Sequence, residues 1–383
     1  MITDLRVNSS RIVRSAKLPT LREARFEDHS QIATLAGKFH LLTENYSAWT
    51  QLWTHNPAYR GIKNTFPIGW VLENGDGIIS GYLGNIPLHY EFGGQRLLAA
   101  ATRSWVVDTA YRAYSLLLLE TYFQQRYVDL FMNTTINSQA ASAYSTFHGV
   151  RVPVGNWDRA RFWVTNSRGF SESFLRNKGW ALAPLLSYPL SVGIILQQFG
   201  GNRLNPTVRV TVKSCSCFDY RFDRFWRNLR AKNSNLLLAV RTREVLEWHF
   251  RFPLLQKRAW IYVLEANSEL SAYAVFLRQD SPEIGLTRVR LVDFQCLEQE
   301  QSLTVLIAML CTALDRCRKE SIHMLELIGL PPQFEGEIER VSPHGRRLPN
   351  WMYCYKTNNT VLGERLKNPA VWQPSLFDGD CSL

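Results

Sequence analysis

Leu97-Leu98-Ala99-Ala100-Ala101-Thr102-Arg103-Ser104-Trp105-Val106-Val107-Asp108-Thr109-Ala110-Tyr111-Arg112-Ala113-Tyr114-Ser115-Leu116-Leu117 is the stretch whose reading decides the fold. Residues 97–108 form a long apolar run that predicts a strand, and residues 116–125 have the length and composition of a helix. A strand that feeds a helix through a short loop presents free backbone N–H groups and the positive end of the helix dipole. Such a junction can hold a pyrophosphate.

Reading outward, Leu21-Arg22-Glu23-Ala24-Arg25-Phe26-Glu27-Asp28-His29 opens as a short strand, and Asp28 then caps a helix carrying Ile32, Leu35, Ala36 and Phe39 on one face. A second helical stretch around Trp49 and Trp53 ends before Asn56-Pro57. Residues 68–73 and 78–87 read as two strands joined by the turn Asn74-Gly75-Asp76-Gly77, and Gly93-Gly94 marks a further turn. A strand over 128–133 and a helix over 138–147 complete the first half. The second half follows the same order. Phe218, Phe222, Phe225, Trp226 and Leu229 fall at helical spacing, 260–265 and 270–278 form a hairpin, and a strand (289–294), a helix (302–318) and a strand (322–327) follow.

Helix, hairpin, strand, helix, strand therefore occurs twice, and Val107-Asp108 corresponds to Val292-Asp293, which implies an internal duplication. The expected fold class is α/β with mixed sheets. Each of two domains has a central, mostly antiparallel sheet flanked by helices. The expected segments are a tail (1–18), a first domain (19–165), a connector (166–208), a second domain (209–330) and a C-terminal extension (331–383).

The bulk numbers fit this plan. A chain of 383 residues with 46% hydrophobic content can bury more than one core. Its 44 Lys and Arg against 33 Asp and Glu give +11, which favours anionic partners without choosing among them. Seven cysteines lack framework spacing, and Cys215 and Cys217 have no second pair to complete a zinc site, so reduced thiols and no metal are expected. Arg6, Arg11, Arg14 and Lys17 interrupt any apolar signal core, which points to the cytoplasm. The uncharged stretch 181–202 contains Pro184, Pro189, Gly193, Gly200 and Gly201, so it reads as a connector packed on the core and not as a membrane-spanning helix.

Residues 107–117 resemble the segment of GNAT acetyltransferases in which a central strand leads into an Arg-or-Gln-x-x-Gly-x-Gly-or-Ala loop that grips the CoA pyrophosphate. Arg112 matches the opening position, while Ser115 and Leu117 stand where the family prefers glycine and glycine or alanine, which narrows the approach of phosphate to backbone. Asn137-Ser138-Gln139-Ala140, then Tyr144, then His148-Gly149-Val150 resembles the family's Asn-x-x-Ala helix, its tyrosine and the entry to the next strand, with His148 in place of the usual glycine. The resemblance implies a bacterial-type, acyl-CoA-dependent N-acyltransferase. By it, Val106, Val107, Arg112, Ala113, Tyr114, Ser115, Leu116, Leu117 and Asn137 would bind acetyl-CoA or a longer acyl-CoA. Tyr144 would protonate the departing thiolate.

Amide formation also needs an acceptor for the amine proton. Glu73, Asp108 and His89 are the candidates, directly or through water. The loop of the second half, Asp293-Phe294-Gln295-Cys296-Leu297-Glu298-Gln299-Glu300, has neither glycine nor arginine and places glutamates where phosphate would sit, so the second copy is read as structural or acceptor-shaping. Residues 241–250, with their aromatic and basic side chains, are a candidate lining for the acceptor. The implied partners are acyl-CoA, an amine acceptor and, as a second donor, a carrier protein with the same phosphopantetheine arm. Two other readings stand beside this one: a Fem-like transferase using aminoacyl-tRNA, which the charge suits but for which no helical arm is seen, and a non-catalytic GNAT-fold binding module.

Overall fold

The computed structural model describes residues 18–41, 44–200, 204, 210–349 and 351–383, with the side chains of 197–200 and 332 excluded. The expected tail, with Arg6, Arg11, Arg14 and Lys17, and most of 201–209 lie outside the described residues. In chain order the strands are β1 (Thr20–Glu23), β2 (Gly69–Glu73), β3 (Ile79–Phe92), β4 (Gln95–Val107), β5 (Leu130–Ile136), β6 (Val150–Arg151), β7 (Arg159–Val164), β8 (Lys213–Cys215), β9 (Leu238–Ala239), β10 (Ala259–Ala266), β11 (Glu269–Arg278), β12 (Arg288–Cys296), β13 (Met324–Ile328), β14 (His344–Arg347) and β15 (Met352–Lys356). The helices are α1 (His29–Gly37), α2 (Tyr46–Thr54), α3 (Ser115–Phe123), α4 (Ser138–Thr146), α5 (Ser167–Asn177), α6 (Ala183–Gly200), α7 (Tyr220–Lys232), α8 (Arg243–His249), α9 (Arg251–Leu255), α10 (Ser302–Lys319), α11 (Pro332–Val341) and α12 (Thr360–Leu366).

Two mixed sheets result. The first runs β1-β2-β3-β4-β5-β15-β6 with β9 on β3, and the second runs β14-β7-β13-β12-β11-β10-β8. Each is antiparallel apart from one parallel pair, β4 with β5 and β12 with β13. The long β3–β4 hairpin turns at Gly93 and Gly94, with φ of 60° and 77°, the conformation that lets a two-residue loop match the strand twist. Asn45 and Asn137 cap α2 and α4 through their side-chain oxygens.

The strand placements cut across the segment limits expected at 165 and 331. β7, from the end of the first half, pairs with β13 of the second sheet, and β15, from the C-terminal extension, pairs with β5 of the first. The outer edges of β5 and β13 are each covered antiparallel by a strand from the other half, so neither leaves a row of unpaired backbone groups. Leu118, Tyr122 and Phe131 pack on one face of the first sheet, and Ile32, Trp49 and Trp53 on the other. The helix α10 covers the outer face of the second sheet through Leu306, Met309 and Leu310. A core containing Tyr90, Met132, Trp157, Phe222, Tyr273 and Trp372 draws on both sheets and welds them together.

The apolar stretch 181–202 departs from expectation. Most of it is the helix α6, which packs on α5 and leaves Leu185, Val192 and Leu196 exposed.

Candidate functional site

β4 and β5 pair at only three positions, Ala99 with Leu130, Ala100 with Phe131 and Ala101 with Met132, and the two strands continue without further pairing. Just past this point β4 bulges. Tyr82 pairs with Val106 and Gly84 with Arg103, so Ser104 and Trp105 stand opposite the single residue Leu83. Ser104 has φ of 53°, a left-handed conformation that a non-glycine residue adopts at a cost of order 1–3 kcal/mol. The local sequence thus opens the sheet beside β4 on its parallel side and breaks the ladder on its antiparallel side.

The throat of this opening is pinned by Tyr122 of α3, whose hydroxyl donates to the Ala100 carbonyl at 2.6 Å and accepts from the Met132 N–H at 3.2 Å. Tyr144 of α4 lies beside it, fully buried, with a hydroxyl that has no hydrogen-bond partner of good geometry among the described residues. Burial, with the neighbouring Tyr122 phenol, pushes the Tyr144 phenol well above its ordinary value. It is therefore held protonated. Gly149 is the residue that allows this packing, because a Cβ there would fall 2.2 Å from the Tyr144 ring.

The strand-to-helix junction is wound tighter than a free loop. A 3₁₀ helix, Thr109–Tyr114, leads directly into α3, and Asp108 caps it by accepting from the Ala110 N–H at 3.3 Å. Lys38, the residue just past α1, reaches the Asp108 carboxylate at 2.9 Å, and this bond with the Ala110 contact holds the carboxyl below its usual range. Arg112, Ala113, Leu116 and Leu117 are exposed, Tyr114 and Ser115 half-buried, and Val106 and Val107 buried in the sheet. Asn137 sits at the start of α4, where its oxygen accepts from the Ala140 N–H at 2.8 Å.

The three expected proton acceptors are separated and engaged. Glu73 is tied to Arg22 at 2.7 Å, which also grips Asp28. Asp108 is committed to its cap and to Lys38. His89 Nδ1 faces the Arg96 guanidinium at 2.8 Å, and burial together with that cation holds its pKa down to about 4. None of these arrangements places a free base at the opening.

The structure instead assembles a buried polar group that the sequence reading missed. The Arg103 guanidinium, on β4 at the bulge, binds Glu44 and donates to the main-chain oxygens of Asp380, at 3.3 Å, and Leu383, at 3.0 Å. The Asp380 carboxylate accepts from Thr134 Oγ1 of β5 at 2.9 Å, two residues beyond the last β4–β5 pair. Burial raises the Asp380 pKa. Ser382 lies 2.7 Å from Nε2 of His249, at the end of α8 within the 241–250 segment. A small depression beside the bulge is lined by His29, Glu44, Trp49, Tyr82 and Ser104, and the Tyr82 hydroxyl is buried with no hydrogen-bond partner of good geometry among the described residues. Arg103 carried a legible signal, a charge inside an otherwise apolar strand. Asp380 carried none. Among the described residues no group of three His, Cys, Asp or Glu side chains is disposed to hold a metal ion.

No family model matches the sequence, and a search of curated proteins finds no match. Solved structures do match. Saccharomyces cerevisiae N-myristoyltransferase with bound myristoyl-CoA aligns at a TM-score of 0.55 and 10% identity, covering 91% of this chain and 80% of that one. A conserved Enterococcus faecalis V583 protein of unknown function, described as a probable N-acyltransferase, aligns at 0.53 and 10% identity over 88% and 72% of the two chains. A GCN5-related N-acetyltransferase from Kribbella flavida aligns at 0.53 and 11% identity over 89% and 71%. The chain thus has a two-domain GNAT-like fold, shared with N-acyltransferases.

Proposed function

We propose that this protein is an N-acyltransferase that moves an acyl group from acyl-CoA to an amine, with the chemistry at the β4–β5 opening of the first sheet. The observation that carries the reading is the three-pair contact of β4 and β5 with a buried, protonated, unpartnered phenol at its throat. An extended pantetheine arm fits between two strands that have stopped pairing, because it can satisfy backbone groups that the strands no longer satisfy for each other. Arg112 at the head of α3 supplies positive charge for the pyrophosphate, with Ala113, Tyr114, Ser115, Leu116 and Leu117 forming the first turns around it. Val106 and Val107 flank the arm, and Asn137 fixes the start of the helix that carries Tyr144.

The amine enters from the bulge side, past Glu44, Tyr82 and Ser104. Its nitrogen attacks the thioester carbonyl, the C–N bond forms, and the C–S bond breaks as the tetrahedral intermediate collapses. Asp380 takes the amine proton and Tyr144 protonates the thiolate. Solvent then returns the proton from the Asp380 carboxyl to the Tyr144 phenolate, so that both groups are restored. A base with a raised pKa and a donor held protonated by burial are matched to these tasks. The second sheet has no corresponding cation loop and serves to shape the acceptor side.

Calorimetric titration with acetyl-CoA and with myristoyl-CoA, repeated on Arg112→Glu, tests the assignment. Binding of either thioester that weakens about 10-fold in the variant supports it. Failure of both to bind would sink it and leave a non-catalytic module, a reading that the carboxylate of Asp108 at the head of the 3₁₀ turn favours.

A further inference from the structure

The helix α6 is built inside out. Among the described side chains it buries Ala183, Ser187 and Ser191, small residues four apart along one face, as it packs on α5. Its large apolar side chains point away: Leu185 is 68% exposed and Leu196 66%. Trp180 and Leu182 in the preceding turn and Phe174 on α5 extend the same exposed surface. A helix pair in water does the reverse, turning large apolar groups inward and polar groups out. Small residues between helices with large apolar residues outside is the arrangement of helix pairs in lipid.

The two buried serine hydroxyls of α6 are also satisfied within the helix. The hydroxyls of Ser187 and Ser191 donate to the carbonyls of Pro184 and Tyr188 within the same helix, at 2.8 and 2.7 Å. Charge selects the kind of apolar surface. From Ser173 to Phe218 the chain has no Asp or Glu, while Lys178, Arg203, Arg209 and Arg176, the last paired with Glu172, lie in or beside the apolar run. The Arg168 guanidinium lies 4.3 Å over the Tyr188 ring, and Lys178 lies 6.0 Å over that of Phe174, so cations sit at the border of the apolar face. Trp180 and Tyr188, both exposed, are the residue types that settle at a headgroup boundary. No helix among the described residues is long and apolar enough to cross a membrane.

We propose that α5 and α6 form a docking arm that lies in the surface of an anionic lipid bilayer, with the outward face of α6 in the acyl boundary and the flanking Lys and Arg on the headgroups. The inference is independent of acyl transfer.

The test is co-sedimentation of the full chain with phosphatidylcholine vesicles, with and without phosphatidylglycerol, for wild type, for Leu185→Asp with Leu196→Asp, and for Arg176→Glu with Lys178→Glu. The expected result is binding that requires phosphatidylglycerol, weakens with salt, and falls by about 10-fold or more in each variant at unchanged melting temperature. Equal binding to neutral vesicles, or leucine variants that bind as wild type, would overturn the proposal. So would an absence of vesicle binding together with concentration-dependent self-association that the leucine substitutions abolish, which would give the face to a second copy of the chain.

Discussion

The two sheets open in the same place and fill the opening differently. β12 and β13 pair at three positions, Arg288 with Met324, Val289 with Leu325 and Arg290 with Glu326, as β4 and β5 do, and they too then go on unpaired. The second opening is lined by Phe294, Leu306, Ile328, Leu330, Phe334 and Leu376. The residues 375–383 cross both. In the second opening the Phe377 N–H donates to the Val292 carbonyl at 3.1 Å, so the segment seals that strand's backbone. In the first, the same segment brings a carboxylate to Thr134 and main-chain oxygens to Arg103. The same three-pair parallel contact is thus closed by apolar side chains in the second sheet, which we call the sealed copy, and in the first, the polar copy, has three buried tyrosines, Tyr82, Tyr122 and Tyr144, around its opening. The loops agree with this division: Arg112 stands on the first, Glu298 and Glu300 on the second.

The largest effect is expected in the sealed copy. Asp293, the counterpart of Asp108, is fully buried in a two-bond contact with Arg241 at 2.9 and 3.1 Å and accepts from the Tyr273 hydroxyl at 2.7 Å. Removing one partner of a buried pair strands the other, so Arg241→Met should lower stability by about 3–5 kcal/mol in urea denaturation. If the second opening were the reactive one, the substitution would instead act mainly on acyl-CoA affinity.

Tyr144→Phe probes the polar copy. It removes the proposed donor to the leaving thiolate and should lower kcat about 100-fold with acyl-CoA affinity little changed. Because the hydroxyl is buried with no partner of good geometry among the described residues, the same change should leave stability equal or raise it by about 1 kcal/mol. A fall in stability with turnover intact would make Tyr144 a packing residue. Arg112→Glu should weaken acyl-CoA about 10-fold, whereas Glu300→Lys on the other loop should leave affinity unchanged.

The smallest expected effect is a pH dependence at the segment that crosses both openings. His249 is buried beside Ser382, and desolvation lowers its pKa to about 3, with Arg241 and Arg103 adding to the shift and Asp293 opposing it. A depressed histidine contributes its stability above the unfolded pKa of about 6.5 and loses it as pH falls toward 3, because only the unfolded chain takes up the proton readily. His249→Asn keeps a polar partner for Ser382, and its melting temperature should decline less than that of wild type as pH falls from about 7 to about 5. Parallel profiles would remove His249 from the account.

How far the sequence discloses this arrangement depends on the range of the signal. The β3–β4 hairpin is legible because Gly93-Gly94 is a local instruction, and the order of elements is legible because each carries its own periodicity. The exchange of β7 and β15 between sheets is not, since strand partners far apart in sequence leave no mark on either strand's composition. Among the proposed site residues, Tyr144 and Arg112 are reached through the resemblance of 137–150 and 107–117 to the GNAT segments. Asp108 looked free because an acidic residue at a strand end carries no sign of a lysine seventy residues away. Asp380 could not be found at all, because it reaches the opening through the packing of Leu376 and Phe377 between the sheets.

Hydrogen exchange of the full chain with and without acyl-CoA tests the central claim most directly, since it reads both openings in one experiment. The account predicts slowed exchange confined to residues 102–117 and 133–144 of the first sheet, with no change at 291–302 and 328–334 of the second. Protection of the second set with the first unchanged would contradict it.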